Sequence, residues 1–183
     1  MELILKKVCG QPAQLHVTLR RCVPGEEQAV FALQNEVHAL MPHPEQFVES
    51  SLAEITDCIK NDLCIGAWAE DRLGAYFTLR YCGEDEHNYA YFMGLPREQW
   101  KYWANADSTI VHPAWRGNGL QRLLLHVALD ECRPEIIGLG ATVSPANLYS
   151  LNNALAEGFE IVRRCDMYGG YDRYLLRKEL AAK

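Results

Sequence analysis

The sequence has no excess of basic residues, no cysteine pair at metal-ligand spacing and no long apolar run, and each absence removes a class of function. Its 183 residues carry a formal net charge of -6 at pH 7, whereas affinity for nucleic acid or an anionic membrane comes mainly from clustered Lys and Arg. Neither partner is expected, and a small molecule or a protein substrate fits better. The seven cysteines (Cys9, Cys22, Cys58, Cys64, Cys82, Cys132, Cys165) are odd in number and no two stand at CxxC spacing, which points to reduced thiols in a cytoplasmic protein and to no metal. Most lie in or beside apolar runs, where free cysteine acts as a small hydrophobe. No window approaches the ~20 apolar residues that span a bilayer. The first residues, with Lys6 and Lys7 after "LIL", lack the apolar core of a signal peptide.

With 49% hydrophobic and 10% aromatic residues, the chain can bury one core, and no repeat, low-complexity tract or linker divides it. The expectation is a single domain over residues 1–183, with residues 1–15 an extension before a core of about 16–181. "HVTLRRC" alternates as a strand does, and Val30, Leu33, Val37 and Leu40 then recur at helical spacing after Pro24-Gly25. Phe47, Leu52, Ile55 and Ile59 mark a second helix after the break at "MPHPEQ". "LCIGAWA" and "LGAYFTLRY" suit an antiparallel hairpin. Residues 82–106, acidic and then rich in aromatics, read as an insertion before "DSTIV" resumes a strand. A helix carrying Leu120, Leu123, Leu124 and Val127 follows, then the strand "IIGLGATV", a helix from Pro145 to a C′ glycine at Gly158, and a final hairpin around Gly169-Gly170. The order predicts an α+β domain with a mixed central sheet.

The stretch "VHPAWRGNGLQRLLLHVAL" joins a strand to a helix through two glycines. Such a junction is an anion site, because the first N–H groups of a helix lack intrahelical partners and its dipole is positive there. Glycine lets a ligand approach the backbone, and Arg116 adds a positive fork. A Walker loop is disfavoured, since no Lys-Ser or Lys-Thr follows Gly119. A dinucleotide fingerprint is disfavoured too, since Arg122 stands where a third glycine is needed. A plain structural turn remains open on these residues alone.

Val111-His112-Pro113-Ala114-Trp115-Arg116-Gly117-Asn118-Gly119-Leu120-Gln121 resembles the signature of the GNAT superfamily of acyl-CoA-dependent N-acetyltransferases: Arg or Gln, two residues, Gly, one residue, Gly or Ala. It matches everywhere except Gln121. Asn147, Ser150 and Gly158-Phe159 are similar to a second motif of that family, and the element order from His16 to Leu180 is also that of its fold. The resemblance implies a mixed, mostly antiparallel sheet of about six to seven strands, about four flanking helices and a V-shaped cleft between the fourth and fifth strands. That cleft would hold acetyl-CoA as cosubstrate. Backbone groups of Arg116, Gly117, Asn118, Gly119, Leu120 and Gln121 would meet its pyrophosphate, Val111 its pantetheine and acetyl group, and Asn147 its pantetheine arm. Asn147 also suits a helix N-cap.

The implied reaction is attack of a neutral amine on the thioester, for which a general base is useful. The position where some members carry a carboxylate falls near Asn105, and Asp107 is the nearest carboxylate on that strand. Its alternative reading is a turn residue where the strand begins. His112, Glu36, His38 and His43 are further candidates, and each equally suits a surface or structural role. The family's tyrosine acid falls at Ala154, so Tyr149, Tyr168 or Tyr171 would have to replace it. The expected function is acetyl transfer to a primary amine of a small molecule, by a monomer or homodimer. The alternatives are a non-catalytic acyl-CoA-binding or sensing domain and a protein N-acetyltransferase.

Overall fold

The computed structural model describes residues 1–181. The first strands, β1 (Glu2–Val8) and β2 (Gln11–Arg21), pair antiparallel, from Glu2↔Thr18 to Val8↔Gln11. Residues 2–8 are therefore a sheet strand rather than an extension. The reversal is made by Cys9 (φ 50) and Gly10 (φ 76), both left-handed, which a two-residue hairpin demands. Next come α1 (Glu27–Ala39), a 3₁₀ turn at Pro44–Gln46, α2 (Leu52–Asn61), β3 (Leu63–Ala69) and β4 (Arg72–Arg80). Helix α1 buries Val30, Leu33 and Val37 as their spacing predicts, but Leu40 is its C-cap and 59% exposed. A capping box starts α2: Ser51 Oγ accepts from the Glu54 N–H, and the Glu54 carboxylate accepts from the Ser51 N–H.

The insertion folds into two single-turn helices, α3 (Tyr89–Phe92) and α4 (Arg97–Trp100), and β5 runs over Trp103–Val111. That strand starts four residues before the expected "DSTIV", because Trp103, Ala104 and Asn105 are buried within it. After a 3₁₀ turn at Pro113–Trp115 come α5 (Leu120–Glu131), β6 (Gly138–Val143), α6 (Leu148–Ala156), β7 (Glu160–Met167) and β8 (Tyr171–Glu179). Helix α5 buries Leu120, Leu124, Leu125 and Ala128, leaving Leu123 and Val127 at the flank. Apolar residues fill positions 123–125 and 127–129, so spacing alone does not fix the centre of the stripe.

The described residues hold eight strands in one sheet, in the order β1-β2-β3-β4-β5-β6-β8-β7. This is one more strand than the upper expectation, and the insertion adds two helices beyond the expected four. The sheet is mixed: β5 and β6 run parallel from Trp103↔Gly138 to Ala106↔Ala141, while β6–β8 and β7–β8 are antiparallel. The chain divides into two compact units. The first comprises Met1–Pro44, Glu49–Thr78 and Ser108–Glu131, and the second comprises Glu45–Val48, Leu79–Asp107 and the chain from Cys132 onward. No helix among the described residues is long and apolar enough to cross a membrane.

Candidate functional site

In the first unit, the strand-to-helix junction is built around Trp115. Its indole is 2% exposed and lies against Gly74 of β4, where a Cβ would come within 2.2 Å of the ring. Only glycine at 74 admits that contact, so the tryptophan fixes where the junction leaves the sheet. The chain then turns through Gly117 (φ 82) and Gly119 (φ 71). A Cβ on Gly119 would meet nothing within 4 Å, so the backbone there is open to a ligand. The Gly119 carbonyl accepts from the N–H groups of Arg122 and Leu123, which starts α5.

Asn118 fastens this turn to β1. Its Oδ1 accepts from the N–H groups of Lys6 (3.0 Å) and Lys7 (3.1 Å), and its Nδ2 donates to the carbonyls of Lys7 (2.8 Å) and Trp115 (2.9 Å). The stem of Lys7 passes 3.9 Å from where a Cβ on Gly117 would stand. Lys7 lies in the segment expected as an extension, and the strand pattern "ELILKKV" is the signal in the sequence for its place on β1. Arg116 is exposed and its Nε donates to the Val111 carbonyl at 3.2 Å. That carbonyl, expected to face a pantetheine arm, is engaged by Arg116 here. Leu120 is buried, while Gln121 is half-buried on the first turn of α5.

His112 uses both ring nitrogens. Nδ1 accepts from the Ala114 N–H at 3.1 Å, so the proton of the neutral ring sits on Nε2, 3.0 Å from Glu36 Oε1. With its lone pair taken, His112 caps the 3₁₀ turn and has nothing left to accept a substrate proton. Glu36 is occupied with it, and His38 Nδ1 lies 3.0 Å from Glu49. Each of these pairs ties α1 to its surroundings.

The second unit holds a different kind of cluster. Asp107 and Thr142 are the next residues after the last parallel pair, Ala106↔Ala141, on β5 and β6. Asp107 lies inside the strand, which removes its reading as a turn residue. Two tyrosines link them: Tyr89 OH donates to Asp107 Oδ1 (3.3 Å), Tyr89 OH and Tyr168 OH are 2.5 Å apart, and Tyr168 OH is 2.8 Å from Thr142 Oγ1. Tyr89 is 3% exposed and comes from α3 of the insertion. Asn105, at the position where the resemblance implies a carboxylate, holds α3 in place. Its Oδ1 accepts from the Tyr89 N–H at 2.9 Å, and its Nδ2 donates to the His87 carbonyl at 2.9 Å. Gly140 of β6 is glycine for the same reason, because a Cβ there would fall 2.6 Å from Tyr89 Cβ.

Burial pushes the Tyr89 phenol well above its ordinary pKa, and the nearby Asp107 charge adds to this. Tyr168 is raised as well, chiefly by burial of its hydroxyl end, although the residue as a whole is 41% exposed. Tyr168 sits at φ 53 at the tip of the last hairpin, followed by Gly169 (φ 80) and Gly170 (φ 122). The guanidinium of Arg173, 4% exposed, lies 5.9 Å from the Tyr168 ring and 5.2 Å from the Tyr171 ring. Asn147 caps α6 by accepting from the Ser150 N–H at 3.0 Å, and its Nδ2 makes no hydrogen bond among the described residues. Gly158 closes that helix at φ 81. Tyr149 is 70% exposed and takes no part in the tyrosine cluster.

Solved structures with the same arrangement identify the architecture. An acetyltransferase of the GNAT family from Streptococcus pneumoniae superposes with a TM-score of 0.67 over 90% of this chain and 99% of its own, at 16% identity. The chain has the GNAT fold. A protein from Salmonella typhimurium solved with its cofactor acetyl-CoA matches at a TM-score of 0.69, 16% identity, 90% of this chain and 94% of its own. A ribosomal-protein-alanine N-acetyltransferase from Brucella melitensis matches at 0.65 and 19% identity, over 89% of this chain and 99% of its own. No protein-family model and no curated protein sequence matches the chain. At these identities the likeness is one of fold.

Proposed function

We propose that the chain is an acetyl-CoA-dependent N-acetyltransferase that modifies a primary amine of a small molecule. The observation that carries this reading is the open backbone at Gly117–Gly119 leading into α5, in a fold whose solved examples include one with bound acetyl-CoA. A diphosphate fits the donor set there, because helix-start N–H groups and the dipole favour anions whatever the side chain at 121. Arg116 and Lys7 supply cations, with Arg116 giving up its bond to Val111 to reach the phosphates. Asn147 Nδ2 is the donor for an amide carbonyl of the pantetheine arm.

Asp107 is the base. An alkylammonium with a pKa near ~10.4 must shed a proton before or during attack, and general base assistance contributes ~10²–10⁴-fold. The ammonium gives its first proton to water; the neutral nitrogen then bonds to the acetyl carbon, the carbon–sulfur bond breaks with its electron pair on sulfur, and the second proton from nitrogen passes to Asp107. Cysteines that form no disulfide among the described residues fit a reducing compartment such as the cytoplasm.

Two measurements test the reading. Acetyl-CoA binding by calorimetry is expected to weaken at least tenfold in Arg116→Glu. Thiol release across a panel of small amines is expected from the wild-type protein. Tight coenzyme binding with no amine-dependent release would favour a binding or sensing domain, and release only with peptide N-termini would favour a protein acetylase.

A further inference from the structure

The four-residue chain Asp107–Tyr89–Tyr168–Thr142 has a polarity, and the polarity suggests a use. An ionised carboxylate only accepts, so Tyr89 donates to Asp107; Tyr89 must then accept from Tyr168, and Tyr168 from Thr142. At rest every proton in the chain points toward Asp107. Once Asp107 has taken a proton it can donate, and the hydroxyls turn over. Tyr89 then donates to Tyr168, which leaves the Tyr168 proton free to point elsewhere.

Resting on the acetyltransferase reading above, we infer that Tyr89 and Tyr168 form a proton wire that returns the proton taken by Asp107 from the amine to the departing thiolate, with Tyr168 as the general acid. The balance is complete. The amine, already neutral after giving its ammonium proton to water, loses one proton from nitrogen to Asp107. As the carbon–sulfur bond breaks with its electron pair on sulfur, Tyr168 gives its proton to that sulfur. Tyr89 refills Tyr168, and Asp107 refills Tyr89 and returns to its ionised state. The products are an amide and a free thiol, and no outside acid is consumed.

Three features fit a wire better than an isolated acid. A buried tyrosine alone is a weaker acid than the thiol it would protonate, since a coenzyme-type thiol titrates near ~8.5 and a phenol near ~10. Coupled to a protonated carboxyl at the far end, the overall transfer runs downhill, because a carboxylic acid is much stronger than a thiol. Burial weakens both phenols as acids, which keeps tyrosinate from accumulating midway. Arg173 lies beside Tyr168, and Tyr89 shares a buried apolar cluster with Met167 and Leu175. The position of the family's own tyrosine is filled by Ala154, so the wire would supply what that helix lacks.

Leaving-group dependence tests this. Wild type, Tyr89→Phe and Tyr168→Phe are compared with acetyl-CoA and with the acetyl ester of an aromatic thiol, whose thiolate needs no proton to leave. Thermal melts check that each variant folds. The expected result is a loss of about 10²-fold in kcat with acetyl-CoA for both variants, restored to within about threefold of wild type with the aromatic thioester. Equal losses with both donors would make the tyrosines structural and overturn the wire. Unchanged rates with both donors would overturn it as well. A wild-type protein that releases no thiol with any amine would instead remove the acetyltransferase reading beneath it, so the two failures are told apart.

Discussion

The turn at residues 116–121 and the tyrosine pair Tyr89–Tyr168 use polar groups in opposite ways. In the turn, side chains are spent on holding the backbone: Asn118 staples it to β1, His112 caps its 3₁₀ turn and Trp115 seats it on Gly74. What remains for a ligand is chiefly peptide N–H, with the cations of Arg116 and Lys7 beside it. Around the tyrosines the backbone is spent on holding side chains: Asn105 pins the Tyr89 N–H and Gly140 makes room for its Cβ. What remains for chemistry is hydroxyl and carboxylate. One region is suited to binding and the other to moving protons.

The sharpest way to separate them is Asp107→Asn. Turnover is expected to fall ~10²–10⁴-fold, the usual worth of a general base, while acetyl-CoA affinity stays within about twofold. Calorimetry beside a thiol-release assay reads both. A parallel loss of binding and turnover would mean that Asp107 supports the turn and that the division of labour is wrong.

The same division explains what the sequence made legible. Backbone chemistry is encoded locally, so Gly117, Gly119 and a helical run after them are visible in ten consecutive letters, and the element order exposed the fold. The tyrosine cluster takes single residues at 89, 107, 142 and 168, on four separate elements or turns. No spacing rule links them, because their proximity is made by the β5–β6 register and by the last hairpin. Asn105 looked like a missing base, yet its amide does what a carboxylate could not, accepting from one backbone N–H and donating to another residue's carbonyl. The strand glycines were the overlooked signal. Gly74, Gly138 and Gly140 each stand where an aromatic residue presses on the sheet, and a glycine inside a strand often marks such a close approach.

Those glycines give the next effects in size. Gly140→Ala puts a methyl 2.6 Å from Tyr89 Cβ, which is not a flexible chain end and can move only with α3. A cost of about 1–3 kcal/mol is expected, seen as a lower Tm, with turnover lost and coenzyme binding kept. Gly74→Ala puts a methyl 2.2 Å from the Trp115 ring and should cost a similar ~1–3 kcal/mol, but here coenzyme binding is the property lost. If both variants lost the same property, the two regions would not be separable. Asn118→Ala is milder. It removes the staple to β1 without adding bulk, and a roughly tenfold weaker coenzyme affinity, about 1.4 kcal/mol, is expected with turnover at saturation little changed.

The smallest effects concern pH, and they should appear at opposite ends of the scale. The Arg20 guanidinium, 2.6 Å from Glu26, holds that carboxyl below its ordinary pKa. A lowered folded value means that the stabilisation is present above the unfolded pKa, near ~4.3, and is lost as pH falls through the folded one. The pair is partly exposed, so its worth is under ~1 kcal/mol, and Glu26→Gln should flatten only the acid limb of a stability profile. Tyr89 and Tyr168 carry the reverse sign. Their raised values give stabilisation that is complete below the unfolded phenol pKa, near ~10, and is lost as pH rises above it, because the unfolded chain then releases protons that the folded one keeps. Urea melts at pH 9 and pH 11 on wild type and Tyr89→Phe should therefore converge at the higher pH, since the variant has no buried phenol to ionise at position 89. A gap that widened instead would mean that the Tyr89 phenol ionises readily in the folded protein, and a tyrosine that ionises readily is a proton trap rather than a relay.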